Sequence, residues 1–320
     1  MARCAVALIL AGAVGLSSPV GVLRRAYVVV ATGDIGGAYF PLGTALAGIW
    51  SATVPGVQAT AMVTAGSLAN VRLVARGDVD LAFVQHDIAS YAARGMEPFA
   101  KGGRPQPAGN LRGVAMLYPE VVQVVALQGR GINGVADLTG QRVAVGMPGS
   151  GTAVNARQIL RLFGLDGARM REEFLTFVEA ADQLRDGLID AAFFTAGIPT
   201  PAVEEAAAAR DLQLLPLPKT TVEALRARYP LYTAAVIPAH TYRGQDRPVE
   251  TVAVRAMLLT RQEADAQLVY GLTRALWEHV GQLQRAHAAS RDIVLVAARR
   301  GMPVYAHPGA HRYYRERGIR

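Results

Sequence analysis

The sequence predicts an α/β protein of two lobes facing each other across a hinged cleft, and three observations carry that expectation. A chain of 320 residues, 51% hydrophobic and 18% charged, has room for two cores at about 100 to 200 residues each. β-Branched runs, glycine-rich turns and helical periodicity alternate along it, as they do in parallel strand–helix units. One such unit, with a distinctive sequel, occurs twice.

Met1–Ser18 carries Arg3, an apolar run from Cys4 to Leu16, and the small residues Gly15 and Ser17 spaced as at a cleavage site. Residues 1–18 read as a secretory leader, and export follows from it. A buried N-terminal helix or a retained anchor is the other reading. The apolar run is shorter than the roughly 20 residues of a membrane-spanning helix, and no later segment supplies such a run. Cys4 is the only cysteine, so a mature chain would have no disulfide, no cysteine nucleophile and no cysteine metal site.

Tyr27–Thr32 is strand-like and runs into Gly33, Asp34, Ile35, Gly36 and Gly37, after which Tyr39–Trp50 has helical character. The Pro/Gly-rich stretch Pro98–Asn110 precedes Tyr118–Leu127, an extended segment expected to cross between lobes. Arg142–Val145 then leads into Gly146, Met147, Pro148, Gly149, Ser150 and Gly151, and Thr152–Phe163 sets Val154, Ile159, Leu162 and Phe163 at helical spacing. The strand, glycine turn and helix of the first unit thus recur.

Each turn also has the same sequel. Gly77-Asp78-Val79-Asp80-Leu81-Ala82-Phe83 is echoed by Gly187-Leu188-Ile189-Asp190-Ala191-Ala192-Phe193, and Gly36 to Asp80 is 44 residues where Gly149 to Asp190 is 41. Two lobes on one plan explain the echo, although any two βα units share some patterning. Tyr232–Pro238 is expected to carry the chain back, with Thr251–Thr260 as a strand and a long helix through Leu268, Leu272, Leu276 and Val280 completing the first lobe. The expected division is 27–117 plus 239–320 for the first lobe and 118–238 for the second.

The formal net charge is +8. Lysine occurs only at Lys101 and Lys219, and the arginines are scattered, with no basic run interleaved with aromatics. That describes a solvated basic surface rather than a nucleic-acid footprint. Enzymatic motifs fail position by position. Gly149-Ser150-Gly151 lacks the glycine two residues before serine that a nucleophile elbow needs, no lysine follows to complete a phosphate loop, and no H-E-x-x-H is present. His307 and His311 stand four apart, but Pro308 opposes the helix that would align them as a metal pair. No metal and no cofactor is expected.

What the glycine turns offer instead is backbone N–H groups and a helix N-terminus, which together attract carboxylates and phosphates. Ser150 and Thr152 add hydroxyls, either as helix caps or as ligand donors, and the roles are compatible. Asp34 either fixes its turn or meets a ligand ammonium group.

These residues together resemble the TAXI family of extracytoplasmic solute receptors, which serve tripartite ATP-independent periplasmic (TRAP) transporters. The resemblance runs from about Tyr27 to Gly318. It is carried by TGDIGGAYFPLG (Thr32–Gly43), TAGSLANVRLV (Thr64–Val74), LAFVQ (Leu81–Gln85), LYPE (Leu117–Glu120), DLTGQRVAVG (Asp137–Gly146), GSGT (Gly149–Thr152), IDAAFFTAGIPT (Ile189–Thr200) and HPGAHRYY (His307–Tyr314).

The resemblance implies a periplasmic-binding-protein fold and no catalysis. It also implies a small anionic or zwitterionic ligand, such as a glutamate-like amino acid or a C4 to C5 dicarboxylate, and a monomer that docks on TRAP membrane subunits. It places the ligand among Gly36, Gly37, Tyr39, Thr64, Ser67 and Gln85 of the first lobe and Ser150, Gly151, Thr152, Thr195, Gly197 and Thr200 of the second, with Tyr118 and Tyr232 near the crossings. The chain departs from the usual loop at Asp34, Ile35 and Ala38, where glycine and small hydroxyl residues are common, so a less polar or amino-bearing solute is also open. A sensor that presents its closed form to a membrane receptor kinase, or an enzyme on the same fold, are the alternatives.

Overall fold

The β-branched run Tyr27–Thr32 gives rise to a strand, β1 (Ala26–Ala31), in the computed structural model, which describes residues 26–320 except 103, 166 and 168. The expected leader, 1–18, lies outside the described residues. The glycine turn follows, then helix α1 (Tyr39–Thr53), which buries Leu42, Leu46, Ile49 and Trp50. This helix stops because Pro55 follows: Val54 is forced out of the helical region, to φ −101 and ψ 113. Strand β2 (Val57–Met62), helix α2 (Ser67–Arg76), the fully buried strand β3 (Leu81–Gln85) and helix α3 (His86–Arg94) complete the first unit. A two-residue hairpin, β4 (Ala100–Lys101) and β5 (Arg104–Pro105), precedes the 17-residue strand β6 (Leu111–Leu127).

The second lobe repeats the plan. Strand β7 (Arg142–Ala144) leads into helix α4 (Gly151–Leu162), then come β8 (Arg171–Glu173), α5 (Phe177–Asp186) and the fully buried β9 (Ala191–Ala196). Helix α6 (Pro201–Ala209), strand β10 (Leu212–Leu214), helix α7 (Lys219–Arg228) and strand β11 (Thr233–Ile237) follow. Strand β12 (Val249–Arg261) returns the chain to helices α8 (Ala266–Glu278), α9 (Val280–Ala286) and α10 (Pro308–Glu316). The continuous helix expected through Val280 is broken at His279. Among the described residues no helix is long and apolar enough to cross a membrane.

The sheet order is β2-β1-β3-β12-β6-β9-β7-β8. Parallel triplets β2-β1-β3 and β8-β7-β9 therefore stand at opposite ends, joined by the antiparallel pair β12 and β6. The echoed aspartates make the same junction in each triplet. The Asp80 carboxylate accepts the Val29 N–H at 2.8 Å while its own N–H donates to the Val29 carbonyl, and Asp190 does the same with Arg142, at 2.9 Å for the side chain. Both turns begin at a glycine with positive φ, Gly77 and Gly187, each ending a helix.

Two strands cross between the lobes. The outward crossing is β6, longer than the expected Tyr118–Leu127. The return is not Tyr232–Pro238, which enters an edge strand, β11, paired only with the 249–253 end of β12; β12 itself crosses, pairing with β11 at one end and β3 at the other. The loop 239–248, assigned to the first lobe from sequence, packs on the second. Its Tyr242 is buried with Ala202 and Val203, and the Tyr242 hydroxyl accepts the Thr200 N–H at 2.8 Å. One core lies between the first-lobe sheet and α1, α8 and α10, another between the second-lobe sheet and α5 and α6, and a third follows the crossing strands beneath α2, α3, α4 and α7.

Candidate functional site

The two glycine turns face each other, since each follows the C-terminal end of a parallel strand and the lobes are related by the repeat. Between them is a cavity of about 320 Å³, within the range of small-ligand pockets. Gly37, Tyr39, Thr64, Ser67 and Gln85 line one wall and Ser150, Gly151, Thr152 and Thr195 the other. These are the sequence-predicted residues that the fold brings together.

On the first wall, Asp34 Oδ1 accepts the Gly36 N–H at 2.7 Å, the turn role allowed for it. Burial raises its pKa, against the opposing pull of the Gly36, Phe177 and Val178 N–H groups. Phe177 and Val178 begin α5, so Asp34 also faces a helix N-terminus of the opposite lobe. Thr64 Oγ1 donates to Asn70 Oδ1 at 2.6 Å, and Ser67 Oγ accepts the Gln85 N–H at 3.0 Å.

On the second wall, Ser150 caps α4 by accepting the Ala153 N–H at 3.0 Å, and Thr152 Oγ1 accepts the Thr195 N–H at 3.3 Å. Gly151 sits so close to Gln85 that a Cβ there would lie 1.8 Å from Gln85 Oε1; only a glycine allows the lobes this approach. The buried atoms Gln85 Oε1 and Thr195 Oγ1 have no hydrogen-bond partner within the protein. Both belong to residues that line the cavity.

Five predicted residues are not in its wall. Gly36 is at the seam between the lobes, where its carbonyl accepts the Ala202 N–H at 3.2 Å and an added Cβ would press on Ala202 and Val178 at 3.0 Å. Gly197 packs under Tyr118 and Ala289, and the Tyr118 ring is wholly buried in the first-lobe core. Thr200 is used structurally, accepting from Gln123 Nε2 at 2.7 Å and donating to the Gly197 carbonyl at 3.0 Å. Tyr232 is buried behind α4, where its hydroxyl donates to Gln158 Oε1 and accepts from Asn155 Nδ2, both at 2.7 Å. The pair His307 and His311 is divided: His307 caps α10 by accepting the Gly309 N–H at 3.2 Å, and His311 is exposed.

The residue that sequence reasoning passed over is Glu120. It lies on β6 where the strand leaves the first lobe, only 3% exposed, and its Oε2 accepts the Tyr39 hydroxyl at 2.7 Å. Burial pushes its pKa up to about 8, outweighing the Tyr39 hydrogen bond. Among the described residues no lysine, arginine or histidine lines the cavity. Glu120 stood in the sequence as an acid within the largely apolar run from Leu117 to Leu127 and as the last residue of the LYPE motif, neither of which was read as a site. Val63, Met147, Leu175 and Phe177 form an apolar part of the wall that was also not anticipated.

A profile of the NMT1-like family matches residues 30–318. Among solved structures, a protein of Bordetella bronchiseptica RB50 is 17% identical, with 92% of this chain and 99% of that one covered and a TM-score of 0.59. A putative L-cystine ABC transporter from Listeria monocytogenes is 13% identical over 84% of this chain and 99% of its own, with a TM-score of 0.52. A protein described as a periplasmic transporter is 13% identical over 82% and 87%, with a TM-score of 0.54. At these identities the likeness concerns the fold, which is the two-lobed periplasmic-binding-protein architecture.

Proposed function

Because the chain belongs to the NMT1-like family, we propose that it is an extracytoplasmic solute-binding receptor that closes on one small ligand and delivers it to a membrane transporter. The observation that carries this reading is the cavity between the two turns, walled by both lobes and lined by glycines, hydroxyls and apolar side chains. A ligand there touches both lobes, so it binds the closed form more tightly, which is what a receptor signals to its transporter. Binding rather than catalysis is favoured by the hydroxyls themselves. Ser150 and Thr152 accept backbone N–H groups, and among the described residues no histidine, lysine or cysteine stands in the wall to activate them.

The ligand-contacting residues we assign are Gly37, Tyr39, Thr64, Ser67, Gln85, Ser150, Gly151, Thr152 and Thr195, with Glu120 added. The first lobe comprises β1–β5, α1–α3 and α8–α10, the second β7–β11 and α4–α7, with β6 and β12 shared. The TRAP membrane subunits as the docking partner, a TAXI-type receptor as the narrower family, and export by the 1–18 leader rest on the motif resemblance and the leader pattern.

A thermal-shift screen of amino acids, dicarboxylates and 2-oxo acids tests the reading. A true ligand at about 100 times its dissociation constant stabilises by about 2.7 kcal/mol. A solute that is chemically converted on incubation, or a screen in which no solute raises the melting temperature, would overturn it.

A further inference from the structure

We propose that Glu120 anchors a ligand ammonium group, so that the pocket takes a small amine-bearing solute with an apolar body, such as an apolar amino acid, and rejects dicarboxylates. This rests on the cleft being a receptor site and narrows what that site accepts.

The charge in the cavity is one-sided. Glu120 and Asp34 both line it, and among the described residues no cationic side chain does. Arg255, on the strand beside Glu120, turns its guanidinium to the Leu117 carbonyl at 3.0 Å. His86, next in sequence to the pocket residue Gln85, accepts the Arg255 N–H through Nδ1 at 3.1 Å, and burial pushes its pKa down to about 4, leaving it uncharged at neutral pH. The other titratable groups facing Glu120 are Tyr39, on α1, the buried Tyr118, on β6 itself, and the buried Asp87, on α3, which adds further negative charge. The backbone N–H groups at the start of α4 can hold one carboxylate, but the second carboxylate of a dicarboxylate would lie unpaired in this desolvated space beside Glu120 and Asp34. An ammonium group would instead pair with Glu120.

Hydrogen-bond supply points the same way. The buried Gln85 Oε1, which can only accept, lacks a partner among the described residues, and buried polar atoms are almost always satisfied in a working complex. An ammonium group brings three donors and no acceptor. The remainder of the wall, Val63, Met147, Leu175 and Phe177, suits an aliphatic or aromatic body.

The proposal predicts a proton signature. With its pKa near 8, Glu120 in the ligand-free pocket holds its proton at pH 7, and an arriving ammonium group displaces it. Calorimetric titration at pH 7 in two buffers of different ionisation enthalpy, with leucine, phenylalanine and 3-methylbutylamine as probes, should show binding with net proton release. The counterparts lacking the amine, 4-methylpentanoate and succinate, should not bind. Glu120→Gln should lower the affinity for the amines roughly 10- to 150-fold, the range for a hydrogen bond to a charged group, and abolish the proton release. If Glu120→Gln fails to fold, the two-buffer titration of the unaltered protein decides by itself.

Binding of succinate or 4-methylpentanoate in preference to the amines, or binding of the amines with proton uptake, overturns the assignment of Glu120 and leaves the receptor reading standing. Failure of every probe, amine or acid, counts against both.

Discussion

Asp87 shows how a single buried residue ties the lobes together and what that costs. Its Oδ2 accepts Asn155 Nδ2 from across the cleft at 2.9 Å, while Asp87 Oδ1 and Asn155 Oδ1 are both buried without partners. Burial pushes the carboxyl up to about 6, against the pull of the Asn155 hydrogen bond. A proton on Asp87 Oδ1 gives it a donor for an acceptor such as Asn155 Oδ1. An acid whose pKa is raised by folding is harmless below its unfolded value, near 3.8, and destabilises increasingly as pH rises from there to about 6. Asp87→Asn keeps the shape, supplies the missing donor and removes the charge. It should therefore stabilise the protein at pH 8 by on the order of 2 to 3 kcal/mol, change little at pH 4, and flatten the stability profile between. Denaturant titrations across that range check it; equal stabilisation at both ends would mean that the charge is not the cause. Asp87 was invisible in the sequence because nothing in its local pattern marks it as buried, and Glu120 was obscured in the same way: partners such as Tyr39 and Asn155 lie 81 and 68 residues away.

At the scale of elements, much more was legible. β1, β7 and α4 appear within a residue of their expected spans, and α1 starts at the expected Tyr39 and runs three residues beyond Trp50, to Thr53, because strand propensity, the glycine turn and helical periodicity all agree there. What failed was the assignment of elements to lobes. Edge strand β11 and crossing strand β12 both carry β-branched runs, and only long-range pairing tells them apart. The echoed aspartates were visible as a repeat, but their role as clamps between adjacent parallel strands was not. Asp190 is bonded more heavily than Asp80, since Arg142 adds a guanidinium to the backbone contact at 2.9 Å and holds the Asp190 carboxyl below its usual range. Asp80→Ala and Asp190→Ala should each cost roughly 1.5 to 3 kcal/mol, the value of hydrogen bonds to a charged group. Asp78→Ala, beside the same turn but in an exposed pair with Arg76, should stay within about 0.5 kcal/mol. Urea unfolding of the three variants separates them, and a loss at Asp78 comparable to that at Asp80 would remove the clamp as the explanation.

For the whole molecule the question is what holds the lobes together. The seam is short. Ala69 N–H donates to the Gly149 carbonyl at 3.0 Å, Ala202 N–H to the Gly36 carbonyl at 3.2 Å, and Asn155 and Gln158 reach Asp87 and Tyr91. Each such bond is worth only about 1 kcal/mol net, because water replaces it when the lobes part. The penalty of burying Asp87 and Glu120 opposes closure. The core beneath α2, α3, α4 and α7 favours closure, and a ligand gripping both walls shifts the balance further by its differential affinity. Adding a ligand found in the screen should lower the radius of gyration measured by small-angle scattering. Gly151→Ala tests the same balance by adding one methyl group where the two walls of the cleft meet. Its Cβ would overlap the end of Gln85, so Gln85 must swing into the pocket or the lobes must stand apart, at about 1 to 3 kcal/mol for overpacking. Alanine is a better helix former than glycine at the first turn of α4, so the lobe itself should fold normally. The variant is expected to bind roughly 5- to 150-fold more weakly, the same energy expressed as a ratio, and to contract less at equal ligand concentration. A Gly151→Ala protein that binds and contracts like the unaltered one would show that the lobes do not close through this contact.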